Sequence, residues 1–390
     1  MFDLDEELRA LKKSGLFRRI PAVDARSATH IRINGRELLL MASNDYLGLS
    51  HHPHLVSRAA QAAAQWGAGS GAARLVSGSC ALFDDLEKRL ADFKQTQAAL
   101  LFSTGYMANI GLLSALAGPG DAIFSDALNH ASIVDGCRLS RAKVSVYPHA
   151  DTRLLESRLR RAGRFRRRII VTDALFSMDG DIAPLPRLLE LARTHDAALI
   201  VDDAHGTGVL GPQGRGAVAH FGLEDPDRLI IMGTLGKALG SFGAFVAGSR
   251  VLVDYLVNRA RTFVFTTALP PADAAAALAA LDLVEQDAGL RERLRSNTVF
   301  MHRELRSRGF DPGGSQTQII PIMTGTTSIA LAMAADLMEQ GIFLRAIRPP
   351  TVPTNAARLR LTVTALHTRQ DLERAVEALS KAGRRHGLIA

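Results

Sequence analysis

The sequence predicts an α/β fold with a large, mostly parallel sheet and a smaller α/β domain toward the C-terminal end. Three observations carry this prediction. Short apolar runs alternate with amphipathic helical patterns through most of the chain, as strands and crossover helices do. The run at 198–201 is continuously apolar, which is typical of a strand covered on both faces. The chain has 390 residues and is 47% hydrophobic, so it can bury a large core in one or two domains.

The strands predicted for the large domain are short apolar runs that follow one another along the chain. Amphipathic stretches at 152–162 and 185–195 carry apolar residues at helical spacing and lie between such runs. This order predicts parallel strands joined by helices. The predicted strands are residues 98–102, 122–125, 143–147, 168–172, 198–202, 228–232 and 244–247.

A smaller α/β pattern follows the large domain. A helical pattern runs from Pro271 to Arg308, and a last helix is predicted from Thr368. Between them, strands are predicted near 318–323, 342–347 and 358–363. We expect the first forty or so residues to pack on this small domain. The predicted parts are an N-terminal arm (1–45), a large cofactor-binding domain (46–270), and a connecting helix with the small domain (271–390).

The chain is basic, since 47 Lys+Arg against 39 Asp+Glu give a formal net charge of +8. Such a surplus suits an anionic ligand, whether a nucleic acid, an acidic lipid or a phosphorylated small molecule. The densest basic cluster lies at 158–168, and Phe165 is its one aromatic residue. A stacking platform for single strands is therefore unsupported. We interpret the cluster as a solvated helix face followed by the entry to a strand.

Cysteine usage and hydropathy exclude several classes of protein. Cys80 and Cys137 lie far apart, which argues against a disulfide scaffold and against a cysteine-built zinc site. No run reaches the ~20 apolar residues needed to span a bilayer. The acidic N-terminal residues also lack the basic start of a signal peptide. We therefore expect a cytoplasmic protein with no metal site and with neither membrane nor nucleic acid as a partner.

Polar residues directly after strands are the candidates for chemistry, because ligands of an open parallel sheet bind outside the carboxyl ends of its strands. Asp202 ends an apolar strand and His205 follows on the same turn. A carboxylate there is desolvated unless a cation meets it, so Asp202 is well placed to hold a protonated ring nitrogen. The nearby imidazole can donate to a phenolate-type oxygen. The alternative is an aspartate that caps the next turn beside a surface histidine.

Lys237 follows the strand at 228–232 among small and apolar residues, an unusual setting for a lysine. Desolvation lowers a lysine pKa and favours the neutral amine, which attacks aldehydes to form a Schiff base. A Walker A loop is excluded, because Ile231 stands in place of its first glycine and Ala238 in place of its Ser/Thr. A lysine of this kind and an aspartate for a pyridinium nitrogen are the protein's half of pyridoxal phosphate chemistry.

Other strand-to-helix turns carry further candidates. Small residues at 102–109 let backbone N–H groups and a helix N-terminus meet a phosphate. His130 is placed where it could stack on a flat cofactor, although a lone histidine is more often structural. Ser177, in the turn at 175–185, could contact a ring oxygen or a substrate. The Asp-Gly-Asp stretch of that turn is also typical of a plain turn.

Two patterns mimic binding motifs without satisfying them. The glycines at 67–71 resemble a dinucleotide-binding fingerprint, but a helix is predicted before them and Ala72 replaces the final glycine. His51, His52 and His54 surround a proline that breaks helical pairing, and no carboxylate is adjacent. We therefore expect neither a dinucleotide nor a metal at these positions.

Four motifs occur together in one order, at residues 43–49, 177–181, 202–206 and 233–237. On these motifs the chain resembles the α-oxoamine synthases, fold-type I pyridoxal phosphate enzymes, along nearly its whole length. The resemblance implies pyridoxal 5′-phosphate as cofactor and a homodimer with shared active sites. The segment 347–353 resembles the branch that condenses L-alanine with pimeloyl-CoA (or pimeloyl-ACP) in biotin biosynthesis.

The resemblance also implies roles for residues around the cofactor. Lys237 would bind the cofactor aldehyde and act as the proton-transfer base, while Asp202 would pair with the pyridinium nitrogen. His205 and Ser177 would contact the phenolic oxygen. His130 would stack on the ring face, where it serves both catalysis and substrate binding. The residues implied for the phosphate are the backbone of Gly105 and Tyr106, then Thr234, and Thr266 or Thr267 from the other subunit.

For the substrate, the resemblance implies that Asn44 and Arg360 bind the amino-acid carboxylate, the arginine bidentately. Arg19 and Thr351 would be further substrate contacts. One alternative is a relative that uses glycine or serine with another acyl-CoA, as 2-amino-3-ketobutyrate ligase or 5-aminolevulinate synthase does. The alternative from another class is a protein that binds nucleic acid or an anionic surface through residues 158–168. That alternative leaves the strand-end motifs unexplained.

Overall fold

The computed structural model describes residues 2–390, and the strands of this part of the chain form three sheets. The strands in chain order are β1 (Ala25–Arg26), β2 (His30–Ile33), β3 (Arg36–Leu40), β4 (Ala98–Phe102), β5 (Ala122–Asp126), β6 (Lys143–Tyr147), β7 (Arg168–Asp173), β8 (Ala198–Asp202), β9 (Leu229–Thr234), β10 (Ala244–Gly248), β11 (Ile319–Gly325), β12 (Ile342–Phe343), β13 (Ala346–Ile347) and β14 (Ala357–Thr362).

Several helices begin at a side chain that accepts a hydrogen bond from the first turn, as the Thr104 hydroxyl does from Met107 N (3.1 Å). Thr368 and Asp371 form a capping box at the last helix. The helices are α1 (Leu4–Lys13), α2 (Pro53–Trp66), α3 (Ala81–Lys94), α4 (Gly105–Leu116), α5 (Ala131–Ser140), α6 (Thr152–Arg160), α7 (Leu185–Thr194), α8 (Ala217–His220), α9 (Arg250–Arg259), α10 (Arg261–Val264), α11 (Pro271–Gln286), α12 (Ala288–Ser307), α13 (Thr327–Glu339) and α14 (Arg369–Arg385).

The chain divides into two compact units. The smaller unit holds residues up to 48, 178–181 and 292–390, and the larger unit holds residues 49–177 and 182–291. Within the smaller unit, β3 of the N-terminal segment pairs in parallel with β12. The three-part division at 1–45, 46–270 and 271–390 remains a prediction about domains.

The large sheet has seven strands in the order β4-β10-β9-β8-β7-β5-β6. Only β10 runs antiparallel to its neighbours, β4 and β9, so the prediction of a mostly parallel sheet is confirmed. Leu199, Ile200 and Val201 have no exposed surface, as expected for a strand covered on both faces. The carboxyl ends of β7, β8 and β9 lie side by side, and the residues that end these strands therefore share one edge.

The smaller unit contains the other two sheets. One has the order β1-β2-β3-β12, and the other, β11-β14-β13, is antiparallel. The predicted single strand at 342–347 is wrong, because the chain changes sheets within it. Ile342 and Phe343 pair with β3, whereas Ala346 and Ile347 pair with β14. The exposed Arg345 interrupts the apolar residues of this segment and lies between the two strands.

The single helical pattern predicted over 271–308 is also wrong, since α11 and α12 are separate helices. Asp287 leaves the helical conformation, with φ −104° and ψ 89°. Its carboxylate accepts a hydrogen bond from Gly289 N (2.8 Å) and thereby starts the next helix. An aspartate competes with the helix in this way because its short side chain reaches the backbone two residues on.

The basic segment at 158–168 runs from the end of α6 to the start of β7, as predicted for a helix followed by the entry to a strand. Its arginines are partly paired rather than only solvated. Arg166 binds the buried carboxylate of Asp121 (2.8 Å), and Arg168 binds Asp196 (3.0 Å). In residues 2–390 none of the helices has the length and apolar character of a membrane span.

One buried histidine of the smaller unit makes folding sensitive to acid. His367 accepts a hydrogen bond from Thr364 N (3.1 Å) at Nδ1 and donates to Leu40 O (3.1 Å) from Nε2, which requires the neutral ring. Burial lowers the pKa of His367 to about 4. The unfolded chain takes up this proton below about pH 6.5 and the folded chain does not, so stability is lost as the pH falls from there toward 4.

We therefore expect a His367→Gln variant, whose amide can make both bonds, to lose less stability on acidification than the parent chain. From pH 7 to pH 5 the parent should lose about 2 kcal/mol more than the variant. Urea unfolding at both pH values measures the difference. Equal losses in the two proteins would show that His367 is not the group responsible.

Candidate active site

A cavity of about 200 Å³ opens at the carboxyl edge of the large sheet. It lies entirely within the larger unit, where the ends of β7, β8 and β9 meet the start of α4 and the residues before α5. The site predicted from strand ends is therefore a real concavity. Its lining residues are Gly105, Tyr106, Asn109, His130, Ser132, Asp173, Ser177, Asp202, Ala204, His205, Met232, Thr234 and Lys237.

Asp202 ends β8 and is buried in this wall, with 5% of its surface exposed. One carboxylate oxygen accepts a hydrogen bond from the side-chain amide of Asn109 (2.8 Å), and the other accepts one from Ala204 N (3.0 Å). Both donors are neutral, so these bonds orient the carboxylate without balancing its charge. A buried negative charge of this kind favours a ligand that brings a proton on nitrogen.

Lys237 lies in the loop after β9, and its Nζ is 2.9 Å from Nε2 of His205. Both residues line the same cavity as Asp202, which unites the two motifs that the sequence predicted separately. A lysine and an imidazole at hydrogen-bond distance can exchange a proton. The pair therefore places an amine and an imidazole side by side in the cavity.

His130 caps the N-terminus of α5. Its Nδ1 is 2.7 Å from the hydroxyl of Ser132, and its backbone N–H donates to the carboxylate of Asp173 (3.1 Å). Burial lowers the pKa of His130, the charge of Lys237 lowers it further, and the carboxylate of Asp202 opposes both effects. The ring is therefore neutral near pH 7 and offers a flat face to the cavity.

The N-terminus of α4 contributes Gly105 and Tyr106 to the lining. The first-turn N–H groups and the dipole of a twelve-residue helix favour an anion there. Thr234 also lines the cavity, and its hydroxyl donates to Gly243 O (3.0 Å) and accepts from Gly236 N (3.2 Å). The helix N-terminus suits an anion such as a phosphate, and the phosphate contacts of Gly105, Tyr106 and Thr234 stay predictions.

Ser177 lines the cavity as well, whereas Thr266 and Thr267 do not. The two threonines follow α10, and the carbonyl of Thr267 accepts a hydrogen bond from the Ser103 hydroxyl (3.2 Å). The phosphate contact predicted for one of them involves a second subunit and stays a prediction.

The predicted substrate residues belong to the smaller unit. Arg360, on β14, donates to the side-chain oxygen of Asn44 (3.0 Å) and to the hydroxyl of Tyr46 (3.2 Å). The side chains of Asn44 and Arg360 are thus paired with each other, and their role in binding a carboxylate stays a prediction. Burial raises the pKa of Tyr46, against the opposing charge of Arg360, so this phenol stays neutral.

Arg19 and Thr351 are exposed residues of the same unit. The guanidinium of Arg19 lies over the ring of Phe17 (5.7 Å), and its carbonyl accepts a hydrogen bond from Arg345 (3.4 Å). Thr351 donates from its backbone N–H to Arg348 O (3.1 Å) in the turn before β14. Their substrate roles remain predictions.

Three polar residues of the cavity were missed at the level of sequence. Asp173 ends β7, which is one residue longer than the predicted strand. With the correct strand boundary, the rule that functional side chains lie at strand ends would have identified it. Asn109 and Ser132 sit inside helices, where only spacing from the helix N-terminus points to them. Burial and the adjacent charge of Asp202 raise the pKa of Asp173 well above its usual range, with Lys237 opposing.

The two patterns that resemble binding motifs, the glycines at 67–71 and the histidines around Pro53, do not line this cavity. The segment 67–71 follows helix α2, so no strand precedes it as a dinucleotide fingerprint requires. His51, His52 and His54 lie at the start of that helix. Across residues 2–390 no group of three or more His, Cys, Asp or Glu side chains is arranged to hold a metal ion.

Comparison with known sequences gives consistent matches over the whole chain. Residues 36–379 match the profile of the family described as aminotransferase class I and II. The chain is 52% identical over 390 residues to an 8-amino-7-oxononanoate synthase from Geotalea daltonii, covering 98% of each protein. It is 50% identical over 386 residues to the enzyme of that name from Citrifermentans bemidjiense, covering 98% of this chain and 99% of the relative.

Solved structures show the same likeness. A serine palmitoyltransferase from S. paucimobilis, solved with a bound PLP–myriocin aldimine, superposes with a TM-score of 0.93 at 32% identity, over 99% of this chain and 98% of that one. An 8-amino-7-oxononanoate synthase from Francisella tularensis superposes with a TM-score of 0.78 at 30% identity, over 90% of this chain and 99% of that one.

Proposed function

Because the chain belongs to the class I and II aminotransferase family and shares half its residues with 8-amino-7-oxononanoate synthases, we infer that it catalyses their reaction. L-Alanine and a pimeloyl thioester condense with loss of CO2 to give 8-amino-7-oxononanoate and the free thiol, a step of biotin biosynthesis. The observation that carries this inference is the cavity that brings Lys237, His205 and the buried Asp202 together.

The lining of that cavity fits pyridoxal 5′-phosphate, the cofactor of this fold-type I family. Lys237 provides the amine that would hold it, and the buried carboxylate of Asp202, which accepts hydrogen bonds from two neutral donors, suits a protonated ring nitrogen. The N-terminus of α4 suits its phosphate, for which Thr234 is proposed as a further contact, and the neutral ring of His130 suits its face. When bound, the cofactor supplies an electron sink for negative charge on the amino-acid α-carbon.

We assign the proton transfer and the contacts with the cofactor ring to separate side chains of the cavity. We assign to Lys237 the transfer of the proton at the α-carbon of alanine, with His205 at 2.9 Å as its hydrogen-bond partner. Asp202 would keep the ring nitrogen of the bound cofactor protonated through its negative charge. His205 and Ser177 are proposed to donate to the phenolic oxygen of the cofactor, which leaves Lys237 to act on the substrate.

The paired side chains of Arg360 and Asn44 are proposed to bind the carboxylate of alanine. Guanidinium and carboxylate match as a planar bidentate pair, which a lysine cannot reproduce. An Arg360→Lys variant should therefore raise the KM for L-alanine about tenfold or more, with a smaller effect on the KM for the thioester. Steady-state kinetics with each substrate varied in turn measure this, with Arg369→Lys on exposed helix surface as the control. An unchanged alanine KM would remove Arg360 from the carboxylate site.

Several finer assignments belong to the same proposal. The acyl donor is pimeloyl-CoA or pimeloyl-ACP, and the basic surplus of the chain suits either phosphorylated carrier. We also propose a cytoplasmic homodimer in which Thr266 or Thr267 of one subunit reaches the phosphate held by the other. Arg19 and Thr351 are proposed as contacts of the acyl substrate.

A second candidate follows from the likeness to serine palmitoyltransferases, which superpose with TM-scores up to 0.93. It is the same type of condensation with serine or glycine and another acyl-CoA. To separate the two, the protein loaded with pyridoxal phosphate is incubated with pimeloyl-CoA and each amino acid, and the products are identified by mass spectrometry. We expect 8-amino-7-oxononanoate from L-alanine in large excess over any product from glycine or serine. A preference for glycine or serine would favour the second candidate.

A further inference from the structure

A buried ion pair lies in the larger unit, behind the wall that carries Asp202. The ammonium of Lys94, the last residue of α3, is 2.7 Å from a carboxylate oxygen of Asp203. Their side chains are 1% and 0% exposed. Neither residue lines the active-site cavity, and neither takes part in the reaction as described above. A pair of charges removed from water is costly unless its remaining hydrogen-bonding groups are satisfied.

The hydrogen-bonding groups of Lys94 and Asp203 are satisfied in this structure. Besides Asp203, the Lys94 ammonium donates to the hydroxyl of Thr207 (2.8 Å) and to the carbonyl of Arg215 (2.6 Å), so its three donors have three acceptors. The Thr207 hydroxyl in turn lies 3.2 Å from the same Asp203 oxygen. The other Asp203 oxygen accepts a hydrogen bond from Ala217 N (3.1 Å). Burial lowers the pKa of Lys94, and the charge and hydrogen bond of Asp203 oppose that shift.

Two positions next to this network are glycines, and the absence of a side chain there makes room for the Asp203 carboxylate. A Cβ on Gly206 would lie 2.2 Å from one Asp203 oxygen, and a Cβ on Gly216 would lie 1.7 Å from the other. The second would also lie 2.7 Å from the Lys94 nitrogen. Any larger residue at either position would displace the carboxylate. The backbone around Asp203 is therefore shaped to accept its side chain in this one position.

The network holds the turn that presents the catalytic groups. Asp203 directly follows Asp202, and its side chain is bound to Lys94 while that of Asp202 lines the cavity. The backbone N–H of Asp203 donates to Met232 O (2.7 Å), and its carbonyl accepts from Gly206 N and Thr207 N (3.2 and 2.9 Å). His205 lies inside this turn. Fixing Asp203 therefore fixes residues on both sides of it that face the cavity.

We propose that Lys94 and Asp203 are positioning residues, whose buried ion pair orients Asp202 and His205 toward the cofactor site. The inference rests on the proposed function, because the orientation of Asp202 and His205 matters only if a cofactor binds beside them. It predicts that loss of the pair changes how the folded protein binds the cofactor, and not only how stable the fold is.

The test is a Lys94→Met variant, which keeps an unbranched side chain one atom shorter and removes the charge. Asp203 is then left as a buried carboxylate without its cation, and the turn is free to shift. We expect the dissociation constant for pyridoxal phosphate, measured by absorbance titration of the apoprotein, to rise about tenfold or more. The pH midpoint of the bound cofactor's absorbance band should move as well, since His205 and Asp202 border that ligand.

A Leu86→Ala variant is the matched control, because Leu86 is fully buried two turns earlier in α3 and belongs to no part of the network. It should lose thermal stability yet keep the parent dissociation constant and pH midpoint. The proposal is overturned if Lys94→Met binds the cofactor as the parent does, or if Leu86→Ala shows the same changes at equal loss of stability.

A milder variant covers the case in which Lys94→Met does not fold. Thr207→Val keeps both charges and removes only the hydroxyl that bridges them. Its dissociation constant should rise about threefold, and an unchanged value would reject the positioning role. If the parent protein itself fails to bind pyridoxal phosphate, the proposed function falls, and the inference falls with it. The parent titration thus separates the two failures.

Discussion

The Lys237→Ala variant is expected to fold and to lose more than about a thousandfold in turnover, the largest effect of any substitution considered. Lys237 combines the amine that would hold the cofactor with the proton transfer at the substrate α-carbon. Its Nζ lies 2.9 Å from His205 in a cavity that also contains Asp202. No other lysine lines that cavity, within the part of the chain that the structure describes.

The measurement is turnover of L-alanine and pimeloyl-CoA, with circular dichroism to establish that the variant is folded. Lys143→Ala is the control, because Lys143 is exposed at the start of β6 and does not line the cavity. It should keep the parent activity. Substantial turnover remaining in Lys237→Ala would refute the assignment of this lysine.

The Asp202→Asn variant should reduce turnover by roughly two to four orders of magnitude. Asparagine keeps the size of the side chain and can still accept from Asn109, but it removes the negative charge that stabilises a proton on the ring nitrogen. Without that proton the cofactor is a poorer electron sink. The effect should fall on kcat far more than on the KM for L-alanine, whose carboxylate is assigned to Arg360.

A second buried carboxylate at a strand end provides the control. Asp126 ends β5 in the same sheet, accepts hydrogen bonds from Leu128 N and Ala150 N (2.8 Å each), and does not line the cavity. Asp126→Asn should cost stability but leave kcat within a few fold. Near-normal turnover in Asp202→Asn, or an equal fall in Asp126→Asn, would count against the pairing of Asp202 with a ring nitrogen.

The strand ends explain why so much of the site was predictable from sequence. Apolar runs at 198–202 and 228–232 identify neighbouring strands, and residues just beyond them must share an edge of a parallel sheet. Asp202, His205 and Lys237 follow from that rule alone. His130 and Ser177 needed the family resemblance as well, because an isolated histidine or serine in a turn has many ordinary roles.

Most of what could not be predicted depends on contacts between residues far apart in the chain. Lys94 and Asp203 are 109 residues apart, and nothing in the local sequence of α3 indicates that its last lysine is buried. Asp287 ends a helix through a local bond to the backbone of Gly289, which a continuous helical pattern conceals. The change of sheets between β12 and β13 depends on which strand each half meets, and hydropathy carries no such information.

The most direct test of the central claim is a visible absorption spectrum of the purified protein with pyridoxal phosphate, recorded as L-alanine and then glycine are added. We predict a cofactor band that stays with the parent protein after unbound pyridoxal phosphate is removed, that borohydride links covalently to the chain in the parent but not in Lys237→Ala, and that shifts in a saturable way with L-alanine but not with glycine at equal concentration. A parent protein that retains no band after incubation with pyridoxal phosphate and removal of the unbound cofactor would contradict the enzyme assignment. A band that responds better to glycine than to alanine would contradict the substrate.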